Sequence, residues 1–453
     1  MSNGLQASAP FAPPKSTKSY PIKSVRSKGW PNSRYFAIGF ALQGILIVGA
    51  LVALYLSLGQ QHTSLVEWDA KWYDSIRANG YEFKPRGMSN AGFFPLLPVV
   101  WRMLSLNALG MSLLNMGLAI TAMWLLRRYL QIRLTTLWLY SALPSVMFLY
   151  LPYTEALFFL SSSLVLISLA YSQRVGQGAA MLMGALTRVT AIFYLPALVV
   201  VEAVAAWQEP RSFWVRARRI VTYGALTGLG LVSVMVYQWS QTGVWFAYSK
   251  AQSLGWDHHL RLTKVPFISA SNSILWLDGL AFLTGISAGL WACWRLLLVV
   301  LRDKQEAPTP AELFSAVFLG TATVHAVLFA SVGPEGNTSL ISMHRYIFGT
   351  PFFLVLLNKF LPTQAPNWRS ALRLLVPIAI ITGLLGMLSK REFVIQLSPV
   401  GPVPGLLYAL FVLVYGSMWV VAGTRWGRVL LYGCSLLMQM AYLWSFSVGR
   451  WVG

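Results

Sequence analysis

Charge is what this sequence has least of. Only 11% of its 453 residues are charged and only 14 are acidic, against roughly 25% charged residues in a soluble globular domain. That scarcity excludes an ordinary soluble enzyme. Cysteine is scarcer still. Cys293 and Cys434 both sit inside apolar runs, so neither a disulfide framework nor a CxxC metal site can be argued. No basic stretch is long enough to form a nucleic-acid-binding arm, which removes nucleic acid as the partner of a chain with formal net charge +21. The sequence also lacks an internal repeat of fixed period, and it lacks the inverted pair of Gly/Pro-interrupted segments that secondary transporters carry.

Apolar surface is abundant instead. Hydrophobic residues make up 56% of the chain, with 19 Trp, 19 Tyr and 24 Phe, and the mean hydropathy is +0.58. One or two aqueous cores could not bury so much, so the solvent is a lipid bilayer. Apolar stretches recur at about 35–58, 106–128, 135–151, 155–172, 178–207, 220–240, 274–301, 311–331, 345–361, 373–389, 403–422 and 428–447. They predict an all-α, polytopic integral membrane protein with about 11–13 transmembrane helices. Residues 1–34, basic and rich in Ser and Pro, read as a disordered cytoplasmic tail; 35–361 form the main transmembrane module and 362–453 a set of C-terminal transmembrane helices.

Basic residues orient the spans. With the N-terminus inside, Arg127/Arg128/Arg133, Arg174, Arg211/Arg216/Arg218/Arg219, Arg295/Arg302/Lys304, Lys359/Arg369/Arg373 and Arg425/Arg428 all fall on the cytoplasmic side. Glu67, Asp69, Asp74, Glu82, Glu155, Asp257, Glu335 and Glu392 come out on the far side, where carboxylate chemistry is therefore expected. Two segments break the pattern. Phe93 to Ser105 begins and ends externally and reads as an interfacial or re-entrant helix. The run 178–207 leaves from and returns to the cytoplasmic side, so it forms two half-length helices with Thr187-Arg188 at membrane depth.

The first external loop, 59–105, is the richest polar stretch. Asp69, Trp72, Tyr73 and Ile76 stand at helical spacing, which gives Asp69 an aromatic face on a helix lying against the membrane. The plainer reading of Asp69 is a helix cap or a solvated charge. Glu155 reads either as a first-turn acid favoured by the helix dipole or as an orienting contact to a sugar or to Arg188. For Arg188 the structural alternative is an ion pair with Glu155, and for Arg345 it is snorkelling to headgroups. Asp257-His258-His259 does not make a metal site, because adjacent residues on a helix point in different directions; no metal or other cofactor is assigned.

The string Trp68-Asp69-Ala70-Lys71-Trp72-Tyr73, followed by Gly80-Tyr81 and Phe93-Phe94-Pro95-Leu96-Leu97-Pro98, resembles the signature of the PIG-V type mannosyltransferases. These are the family of the second GPI mannosyltransferase and its prokaryotic relatives, multispanning glycosyltransferases of the GT-C class. The resemblance continues through Pro144 with Tyr153-Thr154-Glu155-Ala156-Leu157-Phe158, Thr187-Arg188, and Tyr237 with Gly243 and Ala251-Gln252…Trp256. It ends at Ser342-Met343-His344-Arg345-Tyr346 with Pro351. His344 departs from the family pattern, where proline is common, and the short external loops favour a prokaryotic relative. The resemblance implies a GT-C-like fold with 35–361 as the catalytic module. It also implies inverting transfer of mannose from a polyprenyl-phosphate-mannose donor to a hydroxyl of a glycolipid or glycan acceptor. The expected location is the external face of a prokaryotic cell membrane, or the endoplasmic reticulum membrane in a eukaryote.

Such chemistry needs a carboxylate to take the acceptor proton and positive charge beside the leaving lipid phosphate. Asp69 is the expected base. Lys71, Arg188 and Arg345 are the candidates for the donor phosphate, and Trp68, Trp72, Tyr73, Tyr153, Glu155, Trp256 and His344 for contact with sugar, acceptor or lipid. A lipid-linked-sugar transporter or flippase without transferase chemistry is the alternative; the collection of acids on one side, rather than along a midplane path, favours the enzyme.

Overall fold

The computed structural model describes residues 33–56, 64–210, 213–265, 267–269, 272–302, 308–329, 331–332, 337–364, 367–387, 389–393, 396–399 and 402–453. The expected tail up to residue 32, Arg211, Lys304, the start of the first external loop and the turn holding Glu335 lie outside the described residues.

Helix accounts for 79% of the structure. After α1 (Ser33–Leu56) come two short helices at one end of the bundle, α2 (Asp69–Asn79) and α3 (Leu96–Met103), then the long α4 (Ala108–Leu130). α5 (Leu134–Ser141) gives way to a 3-10 turn over Pro144–Leu149 before α6 (Glu155–Ala170). α7 (Arg174–Thr187) and α8 (Tyr194–Gln208) are separated by Arg188 and a 3-10 turn, so the expected break at Thr187-Arg188 is present. The second helix is not half-length: with its 3-10 turn it runs over Val189–Gln208, 20 residues, long enough to cross a membrane. α9 (Phe213–Thr242), α10 (Ala247–Gly255), α11 (Asn272–Arg302) and α12 (Pro310–Phe329) precede two short helices, α13 (Met343–Phe348) and α14 (Pro351–Phe360). α15 (Trp368–Met387), α16 (Pro402–Val421) and α17 (Arg425–Ser447) complete the bundle.

Among the described residues, six helices are long and apolar enough to cross a membrane: Ala108–Leu130, Val189–Gln208, Phe213–Thr242, Ser273–Leu301, Pro310–Phe329 and Arg425–Ser447. Four shorter apolar helices accompany them, at Ala41–Leu56, Glu155–Ala170, Pro351–Phe360 and Ala409–Val421. The protein is therefore a multi-pass, all-α membrane protein. Its outer faces carry exposed Val232, Leu290, Trp294, Leu297 and Leu437, side chains that only lipid would solvate well.

Two expected spans are broken. The run 135–151 stops at Ser141, because Pro144 has no N–H to continue the ladder and disfavours helical geometry in the residue before it. The run 345–361 is interrupted between Phe348 and Pro351 for the same reason. Carbonyls freed by such breaks must be satisfied by protein, since lipid offers no donors. Side-chain amides from neighbouring helices do this. Gln439 of α17 donates to the carbonyls of Ser141 and Leu143 at 3.0 and 2.8 Å. Asn115 of α4 donates to those of Leu151 and Tyr153 at 2.5 and 3.0 Å. Gln238 of α9 donates to those of Ala91 and Phe93 at 2.9 and 3.1 Å.

The core runs through α4, α5, α6, α8, α11, α12 and α14. At its centre Phe158 stacks on Tyr194 and Phe318 on Phe352, with centroids 5.8 and 3.9 Å apart. α11 and α12 approach so closely that a Cβ at Gly320 would lie 2.7 Å from the Cα of Gly289, the small-residue packing that membrane helices favour.

Short strands, which the sequence reading did not anticipate, lie between helices. β1 (Phe267–Ser269) pairs in parallel with β4 (Ser389–Phe393), which pairs antiparallel with β5 (Gln396–Pro399). β2 (Ser331–Val332) pairs with β3 (Asn337–Thr338). One end of the bundle is basic and tied together by polar contacts. Glu202 of α8 holds Arg216 and Arg219 of α9 at 3.0 and 3.1 Å, Lys359 meets Glu312 at 2.8 Å, and Arg133 donates to Asn358. The candidate site lies at the opposite end.

Candidate active site

α2 is amphipathic. Ala70, Tyr73 and Ile76 are buried beneath it, and Asp69 is its first residue, where a negative charge suits the helix dipole. The chain enters through Trp68 at φ 54°, a left-handed conformation that costs a bulky residue strain. Trp68 is held there by the segment following α17: its indole N–H donates to the Arg450 carbonyl at 3.3 Å, and its ring meets Trp451 edge-on at 4.6 Å. The Tyr73 hydroxyl is hydrogen-bonded to Thr154 at 3.2 Å. Burial, and then the charge of Asp69, push the Tyr73 phenol well above its ordinary pKa, so it stays neutral.

Four charges from four segments meet in a chain. Arg345 of α13 donates from Nη1 to Asp69 Oδ2 at 2.9 Å, and from Nε and Nη2 to Glu155 Oε1 at 2.9 and 2.6 Å. Arg188, at the break between α7 and α8, reaches the same Glu155 oxygen at 2.7 Å. The order Asp69–Arg345–Glu155–Arg188 is electrically neutral, as a site with little water requires. Arg345 also lies over the rings of Phe148 and Tyr153, 4.7 Å from each centroid, and Arg188 over Tyr346 at 5.2 Å.

Exposure separates the two acids. The Glu155 side chain is 2% exposed, whereas that of Asp69 is 22% exposed. Glu155 Oε2 has no hydrogen-bond partner among the described residues. Glu155, Arg188 and Arg345 line a cavity with Thr190, Tyr346 and Thr350 on its polar side and Phe158, Phe318 and Ala322 on its apolar side. Its empty space, mouth included, is about 290 Å³.

Near Asp69 on α2 stands an aromatic wall. Trp72 stacks on Phe93 at 6.0 Å, and Trp256, at the end of α10, meets both rings edge-on at 6.0 and 5.6 Å. Gly92 permits this approach, because a Cβ there would lie 2.6 Å from the Trp256 ring.

Asp69, Glu155, Arg188 and Arg345, given separate roles in the sequence reading, are thus linked in one chain, and the Glu155–Arg188 ion pair weighed there as the structural alternative is present. Other assignments change. Lys71 stands outside the chain of four charges, 61% exposed and paired with Glu67 at 2.5 Å. His344 is buried, its Nδ1 hydrogen-bonded to Ser145 at 2.9 Å, and offers no surface to a sugar. Arg345 was expected to bind phosphate, but its guanidinium is occupied by two carboxylates and only 4% exposed. Tyr153 is buried beneath Arg345, with its hydroxyl donating to the Glu67 carbonyl at 3.2 Å; it and Trp68 support the charged chain rather than a ligand. Asp257-His258-His259 lies beyond the end of α10 rather than on a helix, and Asp257 is paired with Arg261 at 3.1 Å.

Sequence reasoning missed Phe148, Ser145, Tyr346, the 450–453 segment and Asp278. Asp278 alone carried a usable signal, since an acid inside the apolar run 274–301 is costly unless it has work to do. In comparisons with known proteins, no family model matches the chain and no curated protein is significantly similar to it, so the PIG-V resemblance rests on the motifs that carry it.

Proposed function

We propose that the protein is an inverting mannosyltransferase that uses a polyprenyl-phosphate-mannose donor and a hydroxyl acceptor at the non-basic end of the bundle. The observation that carries this reading is the chain Asp69–Arg345–Glu155–Arg188. It puts one partly exposed carboxylate and one cavity-lining arginine at opposite ends of a rigid, neutral relay. The motifs from Trp68 to Pro351 support the sugar and the donor class; the geometry supports the division of labour.

In this mechanism the acceptor hydroxyl attacks the anomeric carbon as its proton passes to Asp69. The new C–O bond forms while the bond from the anomeric carbon to the phosphate oxygen breaks, and the electron pair leaves with the lipid phosphate. Arg188, 13% exposed beside the cavity, faces that developing charge, an interaction worth on the order of 2–4 kcal/mol of barrier. Arg345 orients Asp69 and Glu155. The second oxygen of Glu155 has no partner among the described residues but is buried, so Glu155 holds the two arginines rather than a sugar hydroxyl, while Trp72 and Trp256 offer ring faces to the acceptor.

The test is purified protein in lipid, given radiolabelled polyprenyl-phosphate-mannose and acceptor lipids, with chelator in one arm. Transfer of label is expected, and Asp69→Asn should lower turnover by about 10² or more while donor binding holds and the melting temperature falls, because Arg345 loses one of its two counter-charges. Movement of intact donor across the bilayer without transfer would make the protein a carrier. Near-normal transfer by Asp69→Asn would remove Asp69 from the mechanism.

A further inference from the structure

Asp278 lies on α11, fully buried, and takes no part in the chain of four charges. One of its carboxylate oxygens accepts the backbone N–H of His344 at 3.2 Å, and the other accepts the Ser269 hydroxyl at 2.8 Å. His344 is the second residue of α13 and the neighbour of Arg345. α13 needs this support. It has only six residues, it is entered through Ser342 at φ 64°, and the Ser342 side chain makes no capping bond.

The second partner ties in the other strand leading to the site. Ser269 ends β1, whose Ile268 accepts the N–H of Leu340 at 2.7 Å and bridges Ser339. One carboxylate therefore fastens the end of β1 to the start of α13, and with it the backbone that presents Arg345.

We propose that Asp278 is a positioning residue. Through its two hydrogen bonds, rather than through its charge, it fixes the entry to α13 and so the guanidinium of Arg345 on Asp69 and Glu155. The consequence for turnover rests on the transferase reading; the consequence for α13 does not.

Asp278→Asn preserves both contacts, its amide oxygen facing the His344 N–H and its NH₂ facing Ser269, while Asp278→Ala removes both. Hydrogen exchange of the amides in 343–348, read by mass spectrometry on the full chain in detergent, should accelerate about tenfold or more in Asp278→Ala and stay within about twofold in Asp278→Asn. In the transfer assay, Asp278→Ala should lose about tenfold in kcat per folded molecule with donor KM within about twofold, because Arg188 is undisturbed, and Asp278→Asn should retain activity. Unchanged exchange in Asp278→Ala overturns the proposal. So does an Asp278→Asn that exchanges and turns over like Asp278→Ala, since charge would then be the agent. If Asp278→Ala does not fold, Ser269→Ala, which releases one carboxylate oxygen only, takes its place; faster exchange in 343–348 supports the proposal and unchanged exchange overturns it. A wild-type protein that transfers no mannose defeats the transferase reading and leaves the exchange measurement to decide on Asp278.

Discussion

Glu155 concentrates the site's electrostatics on one atom: both arginines approach Oε1, and the Glu155 side chain is only 2% exposed. The two partners are unequal. Arg345 makes two hydrogen bonds to Glu155, one to Asp69, and covers two rings, whereas Arg188 makes one contact and covers one ring. Arg345→Met should accordingly cost about 3–5 kcal/mol, the penalty for stranding buried charge. Arg188→Met, which leaves Glu155 with Arg345, should cost about 1–3 kcal/mol. Adding Glu155→Gln to Arg188→Met should lower stability further, because Arg345 then loses its buried counter-charge. Thermal melts of the three variants in one detergent check this order, and recovery of stability in the double variant would show that Glu155 and Arg188 form a closed pair. Asp69, Glu155 and Arg188 were legible in the sequence because ionisable residues at a membrane boundary are costly and these stood in motifs. Lys71 and His344 stand outside the chain of charges because a helix turns about 100° per residue, so residues one or two positions from its members face elsewhere. The occupation of Arg345 by two acids was not legible, since it depends on where α2, α6 and α13 meet.

At the scale of elements, the organising device is the amide clamp. Gln439, Asn115 and Gln238 each bridge two carbonyls two positions apart, at the end of an α-helix or in a segment that is not regular α-helix. These segments lead into the 3-10 turn after α5, into α6 and into α3, so the clamps hold the backbone that presents Phe148, Glu155 and the aromatic wall. Asn115→Leu keeps the volume and removes the donors, orphaning the Tyr153 carbonyl at about 1–3 kcal/mol and leaving the Leu151 carbonyl only the Tyr153 N–H at 2.7 Å. A markedly lower melting temperature is expected, whereas Thr121→Ala on the exposed side of the same helix should change stability by no more than about 0.5 kcal/mol. An Asn115→Leu protein as stable as wild type would show that the carbonyls find other donors. The break between α7 and α8 was legible from the arginine in the middle of the run, but the length of the second helix, which with its 3-10 turn spans Val189–Gln208, was underestimated. The breaks at Pro144 and Pro351 were not legible, because hydropathy is blind to whether an apolar stretch is one helix or two.

For the molecule as a whole, the basic end and the site end lie at opposite ends of the bundle, and the positive-inside rule predicts that the basic end is cytoplasmic. Starting from a chain with Cys293 and Cys434 replaced by serine, Lys71→Cys and Met88→Cys, both at exposed positions, should react with a membrane-impermeant thiol reagent in intact cells. Val175→Cys, exposed at the start of α7 between basic ends, should react only after permeabilisation. The reverse pattern would place the site in the cytoplasm. The four charges also enter the bilayer in a fixed order during synthesis: the two acids first, then Arg188, and Arg345 long after. Glu155 would be left alone in lipid were it not for Arg188 on the hairpin that follows directly, so a nascent chain can carry a neutral Glu155–Arg188 pair while Asp69 waits at the surface. Only when α13 and the segment beyond α17 have been threaded in does Asp69 acquire its orientation. Half-inserted chains are thus spared an unpaired Glu155 in lipid by the order in which the ribosome delivers the charges.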